Sequence, residues 1–584
     1  MMRKLILFHI ILFALVAFPS VVFASEGACS SSESWKKVEL DQKWQTRFKK
    51  YLGKEFSNME GMAMARSLKS ESVTRYEQLF SQYWLAHALE RSGHFPVAAD
   101  GFERLVSSIP DGKEYAPIRE AGFACLIKIH HEHASRFLSS KFYSSWTKLP
   151  ESDLKDYIAY RWGIEQGKYK QSTKFMASSS PLKLVMEALI DWENRDWKLG
   201  AEKMDQFFQK PVRQAYLKNH INYWRILASR LHYSSSSFKS SVRYLSLVDK
   251  QANELVPALT EMAWAQLKSG KYNDSIGTAL SLQTGWLQNT YSPEGLMVMS
   301  MAFNETCYYP ESMRSLELLR KQYGPVAKWL KDNKKMSGDN LYSELRKSLK
   351  KESEAPFRLT SEWVRSSAFL SRQSEINELL TQDKFAVKAE KEAKLRQTLR
   401  VTKLLKDVRQ IKKDLEDFQK TESHTALIPD WIEVKLTALR NDLEEYDSLR
   451  GFAPVWKLVQ KSNKKTAEAR RNVLLSEIKN HIKAVNTRIG HQLSDIDENI
   501  KFIEVEVYQG ATQDVIFSNA NPDYAKKLAS LKKKEGFKLN PNEMKWGSIS
   551  TNDLSKGEIW EDELGGFKAD LPNKCTNAKV ARSN

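Results

Sequence analysis

Residues 81–110 read SQYWLAHALERSGHFPVAADGFERLVSSIP. Leu85, Ala86 and Leu89 recur at helical spacing, Gly93 interrupts them, and Phe95, Ala98, Phe102 and Leu105 resume the spacing until Pro110. Apolar residues three and four apart share one helix face, so the stretch predicts two short helices joined by a tight turn. The small residues let the paired helices approach closely, and the aromatics fill the gap to a neighbouring pair. A second copy runs through Met262, Ala263, Gly270, Tyr272, Ser275, Ala279 and Leu282. One such hairpin cannot bury its own apolar face, so the pattern predicts hairpins stacked side by side.

The glycine turn, the aromatic two residues on, the small residue three further and the closing proline resemble the tetratricopeptide repeat. That unit is a helix–turn–helix of about 34 residues. Weaker copies follow: Gly167-Lys168-Tyr169 after Tyr157–Gln166, Asp196-Trp197 after Leu182–Glu193, Phe238 after Tyr223–Leu231, and Tyr309, Ser312, Leu316 and Leu319 before Tyr323-Gly324-Pro325. Together they make about five or six units. Between Phe95 and Tyr169 the period blurs, with Ser139–Ser145 and Ser178–Ser180 as irregular connections. The resemblance implies a solenoid whose first helices line a concave face that binds a protein partner. On that register the partner-binding residues are Tyr83, Trp84, His87, Arg91, Arg161, Trp264 and Lys268. The competing reading of Trp84 and Trp264 is that they pack between hairpins.

The pattern changes after Pro325. Lys328–Lys351 is Lys-rich, with Gly338, Asp339 and Asn340 as breakers. Then Val401, Leu404, Val408, Ile411, Leu415 and Phe418 alternate three- and four-residue steps, the seam of a coiled coil. Ile432, Leu436, Leu439, Leu443 and Tyr446 repeat it, as do Leu475, Ile478, Ile482, Val485, Ile489, Ile496, Ile500 and Ile503. Breaks at Thr421–Pro429 and Gly451–Pro454 favour antiparallel hairpins over one rod, and internal packing over self-association through an open seam. From Gln509 the chain gathers Gly, Asn and Pro, then a Lys-rich piece at Tyr524–Lys534. Trp546, Trp560 and Phe567 beside paired glycines predict an ordered segment docked on the helical body. Met262–Ala265, the Tyr323-Gly324-Pro325 stop, the coiled-coil middle and Gly557–Gly565 together resemble secreted repeat proteins of gliding and predatory Gram-negative bacteria. That likeness implies a place in an envelope or motility assembly.

The first residues fit a secretion signal: Arg3 and Lys4, the apolar run Leu5–Phe18, and Val22-Phe23-Ala24 as cleavage site. The run is short for a spanning helix, which needs about 20 residues. Cys29 follows Glu26-Gly27-Ala28, which does not fit a lipidation site. The other cysteines are Cys125, Cys307 and Cys575. Cys125 and Cys307 read as ordinary helix residues, while Cys29 and Cys575, flanking the mature chain, could pair. A formal charge of +18 suits an anionic envelope polymer, anionic lipid or an acidic partner, or simply solubilises long helices. Export argues against nucleic acid.

His130, His131 and His133 form the only histidine cluster, and no further ligands stand at zinc spacing. Ser292–Met297 faintly resembles a segment of solenoid-bearing cell-wall hydrolases, but the catalytic Glu-Ser pair is missing from Gly277–Tyr291. No phosphate loop or nucleophile elbow occurs. The expected protein is all-α: a signal peptide at 1–24, a tetratricopeptide-like helical-hairpin solenoid at 35–325, basic linker helices at 326–385, coiled-coil-like hairpins at 386–508 and a short irregular docked segment at 509–584. It is expected to be a periplasmic, non-catalytic scaffold that needs no cofactor or metal. The alternatives are a binder of anionic envelope polymer or membrane surface and, second, a cell-wall-cleaving enzyme.

Overall fold

The computed structural model describes residues 40–133, 146–210, 220–421, 428–450, 452–523, 526, 569, 571 and 573–576. The expected signal, the region around Cys29 and the Gly557–Gly565 motif lie outside them. Among the described residues the protein is all-α, with no strand. In chain order the helices are α1 (Gln42–Leu52), α2 (Asn58–Glu71), α3 (Arg75–Arg91), α4 (Phe95–Ser108), α5 (Ala116–His133), α6 (Asp153–Gln166), α7 (Tyr169–Ser172), α8 (Pro181–Asn194), α9 (Trp197–Gln209) and α10 (Ile221–Ser234). They continue with α11 (Phe238–Ser246), α12 (Leu255–Lys268), α13 (Tyr272–Ser281), α14 (Pro293–Glu305), α15 (Tyr309–Asp332), α16 (Gly338–Leu349), α17 (Phe357–Arg365), α18 (Ser367–Thr421), α19 (Asp430–Arg450) and α20 (Phe452–Ala520).

One turn recurs between paired helices. Lys54, Gly93, Gly167, Arg195, Ser236, Gly270, Cys307 and Lys351 all take a left-handed backbone, with φ between 61° and 82°. After each of them the next residue donates its N–H to the carbonyl five positions back, at 2.8–3.0 Å, the closing bond of a Schellman cap. In all but the last, an aromatic stands two residues after the left-handed position: Phe56, Phe95, Tyr169, Trp197, Phe238, Tyr272 and Tyr309. Past the turn the helices cross on small residues. Ser229 and Ser241 hydroxyls lie 2.8 Å apart, Ser275 donates to the Ala263 carbonyl at 2.9 Å, and Ser300 meets Ser312 at 2.8 Å. Gly270→Ala is expected to cost about 1 kcal/mol through left-handed strain alone, since a Cβ there meets nothing within 4 Å. Denaturant unfolding measures it.

Each helix from α2 to α5 and from α8 to α15 packs on the next. α15 does not stop at Pro325 as its sequence predicts, but runs on to Asp332. An interior proline costs about 3 kcal/mol. Tyr323 and Val326 are buried on either side of it, and Trp329 packs against Trp363 at 5.9 Å, so tertiary burial outweighs the local break. Gly338, Asp339 and Asn340 start α16 rather than break a helix, with Ser337 as its N-cap.

The last three helices tie the two ends of the hairpin series together. Arg372 of α18 donates to Glu477 of α20 at 2.8 Å, while Arg396 donates to the Lys54 carbonyl at 3.0 Å. At 1.5 Å per residue the span between those arginines is about 36 Å. Arg400 stacks over Phe56 at 4.3 Å and lies 3.4 Å from Glu60. α19 turns back along α18, with Lys403–Asp442 at 3.0 Å and Lys435–Asp414 at 2.6 Å. α20 then packs on α18 and on α14, α15, α16 and α17. Its seam of Ile478, Ile482, Val485, Ile489, Ile496, Ile500 and Ile503 joins the core of those hairpins instead of pairing with a second seam. Buried Glu375 and Glu362 are met by Arg470 and Arg488 of α20, each at 2.7 Å. α20 continues to Ala520, past the boundary expected at Gln509.

The chain returns to the hairpins at its C-terminal end. Ala569 donates to the Asn273 carbonyl at 3.1 Å, Asn273 donates to Leu571 at 3.0 Å, and Lys574 donates to Thr306 at 3.3 Å. Cys575 is disulfide-bonded to Cys307. This closes the open possibility of a Cys29–Cys575 pair and corrects the reading of Cys307 as an ordinary helix residue. Cys125, too, is disulfide-bonded rather than an ordinary core thiol, and no described cysteine is free.

Candidate interaction surface

The end of α8, the last turns of α10, the middle of α12 and Ser241 of α11 enclose a groove of about 360 Å³. Its walls are Trp192, Tyr233 and Trp264, with Arg230 and Glu261 between them. Trp192 stands five residues before the turn aromatic Trp197, and Tyr233 stands five before Phe238. Repetition of the hairpin therefore brings aromatics from successive first helices to one surface. Trp192 keeps 37% of its surface exposed.

The polar parts of the groove are fixed. Arg230 grips Glu261 with Nε and Nη2, at 2.6–3.1 Å, and that carboxylate holds the guanidinium above its usual range against the opposing cost of burial. The Ser229–Ser241 contact forms part of the lining. Trp264 donates through Nε1 to Glu294 at 3.1 Å, and Gln492 of α20 donates to the other oxygen of Glu294 at 2.6 Å. One carboxylate thus joins the groove to the surface on which α20 already lies. Three aromatics and a neutralised ion pair favour an apolar or aromatic side chain over a bare ion.

The structure divides the residues expected on this surface. Trp264 lines the groove, and Lys268 is exposed in the last turn of α12. Arg161 is half-buried on α6. Tyr83, Trp84 and His87 are in the core, which corrects their expected place on an open face. The reason is α1, which covers α3. Phe48 and Tyr51 lie 5.1 and 5.8 Å from the Trp84 ring, and Trp44 meets it edge-on at 6.5 Å. His87 Nδ1 sits 3.1 Å from the Tyr51 hydroxyl, and burial, helped by Arg91 and Lys128, pulls its pKa down to about 3. Arg91 stacks 5.0 Å over the Tyr51 ring and donates to its carbonyl. Trp192, Arg230, Tyr233 and Glu261 were not foreseen. For Trp192 and Tyr233 the signal was the position five residues before the turn aromatic, whereas Arg230 and Glu261 stand eight and eleven before theirs.

A second polar cluster braces the fold. Asp205 of α9 accepts from His232 at 3.1 Å and from the Tyr244 hydroxyl, joining α9 to α10 and α11. Among the described residues no group of His, Cys, Asp and Glu could hold a metal ion. The side chains of His130, His131 and His133 lie outside that description. No described helix is long and apolar enough to cross a membrane. Fold and groove define an all-α protein of consecutively packed helical hairpins closed by long helices. Comparison with family models, curated proteins and solved structures finds no match.

Proposed function

We propose that this chain is a tetratricopeptide-like solenoid with appended coiled-coil-like helices, exported to the periplasm. There it acts as a non-catalytic scaffold that holds a protein partner of an envelope assembly. The observation that carries the reading is the Trp192–Tyr233–Trp264 groove, built from the first helices of three successive hairpins. Exposed aromatics beside an arginine are the composition of surfaces where binding energy concentrates. The disulfide state of Cys125, Cys307 and Cys575 supports an oxidising compartment. The test is the double variant Trp192→Ala, Tyr233→Ala, cross-linked in cells beside the wild type. Both residues are partly exposed, so the fold is retained and partner yield falls at least tenfold. Equal yield of the same partners would remove the groove from the mechanism.

Exposed Lys331, Lys334 and Lys335 at the end of α15 favour one second reading, an anionic envelope polymer as ligand. Binding of that kind fades steeply with salt, because exposed charges are screened beyond about 8 Å at physiological ionic strength. Retention at high salt would select the protein partner.

A further inference from the structure

The last turns of α20 have two apolar faces. One is buried: Leu493, Ile496, Ile500, Ile503 and Val507 join the core of α14 and α15, and a Cβ on Gly510 would lie 2.6 Å from the Tyr309 ring. The other is open. Phe502, Val505, Tyr508, Val515 and Ile516 expose 70, 53, 62, 60 and 63% of their surface. These positions fall on one side of the helix and run for about 21 Å along it. Scattered exposed apolar residues need no explanation, but a continuous stripe of this size marks a contact surface. Beside it lie the Asp497–Lys501 and Arg320–Glu504 ion pairs, with Glu498 and Glu506. The matching occupant is apolar and aromatic.

The chain supplies such an occupant. Between Asp523 and Ala569 come Trp546, Trp560 and Phe567, with eight lysines nearly balanced by seven acidic residues over 524–567. Both ends of this stretch are held near the stripe. It leaves from the end of α20 itself, and it returns to the anchor made by Asn273, Thr306 and the Cys307–Cys575 disulfide. Tyr309, two residues from Cys307, touches Gly510 within the helix that bears the stripe. For a random coil of about 45 residues the root-mean-square reach is roughly 35–40 Å, more than the stripe is long. Tethering at short range holds it there at an effective concentration of order millimolar.

We propose that residues 524–567 dock in cis on the Phe502–Ile516 face of α20, with Trp546 and Trp560 on the apolar stripe. Full-length, oxidised protein carrying Val505→benzoylphenylalanine is irradiated and its cross-linked peptides are mapped. The expected products are intramolecular and join position 505 to peptides within 524–567. Their yield falls at least tenfold when Trp546→Ala and Trp560→Ala are added. The probe at Tyr508 repeats the readout from the same face. Cross-links that join only two molecules would assign the stripe to a second copy and overturn the proposal. So would an absence of products within 524–567 from both probe positions.

Discussion

Acidification from pH 7 to pH 5 is expected to remove about 2 kcal/mol of stability through His87 alone, and up to twice that with His220. His87 is 2% exposed, and its pKa is held near 3, first by burial and then by Arg91 and Lys128. His220 is pulled to about 4 by burial and by Arg161. In the unfolded chain each imidazole takes up a proton near pH 6.5. Above that pH both states are neutral and the linkage costs nothing. Below it the unfolded state binds protons that the folded state refuses, so stability drops by about 1.4 kcal/mol per pH unit and per histidine. For His87 the loss continues until pH approaches 3. Denaturant midpoints from pH 7.5 to 4.5 measure the slope. His87→Gln, which keeps a polar group facing the Tyr51 hydroxyl, is expected to flatten it by about one proton. An unchanged slope in that variant would place the acid sensitivity elsewhere.

Ile482→Asp combined with Ile489→Asp is expected to strip α20 from the hairpins. Both side chains are fully buried in the core shared with α14 to α17. Truncating a buried isoleucine alone costs about 2–5 kcal/mol, and an unpaired carboxylate in that site adds several more. A loss on the order of 10 kcal/mol exceeds the marginal stability of most domains. The helix should therefore detach rather than adjust. Amides of residues 478–507 should exchange at least a hundredfold faster, while the α1–α5 core keeps its protection. Ile482→Val with Ile489→Val, at about 0.5–1.5 kcal/mol each, should leave α20 in place. Protection unchanged in the aspartate variant would refute the packing described for this helix.

Much of the helical order was legible because it is set by neighbours in the chain. Gly93, Gly167 and Gly270 announced left-handed turns, and the aromatics two residues later marked the same point where Arg195, Ser236 and Cys307 hide it. Those three side chains adopt the left-handed backbone against their own preference, so the repeat looked more divergent in sequence than it is in space. The groove was half legible. Trp264 could be placed from the register, whereas Trp192 and Tyr233 needed the recurring offset from the turn. Pro325 misled because a local breaker says nothing of the burial on either side of it.

The sequence by itself determined that this protein is helical, where its hairpins turn and which stripes are apolar. These properties depend on residues three to seven positions apart, whose energies are the same whatever the rest of the chain does. Only the tertiary structure decided which apolar face stays open. α1 covers the face of α3 that a repeat register leaves exposed, and α20 lies on α14 to α17. Arg396 meets the Lys54 carbonyl, and Cys575 finds Cys307 across 268 residues. Many apolar stripes of similar width compete for the same partners, and their order along the chain does not rank them. Selection among them rests on shape and desolvation, which exist only once the hairpins are packed.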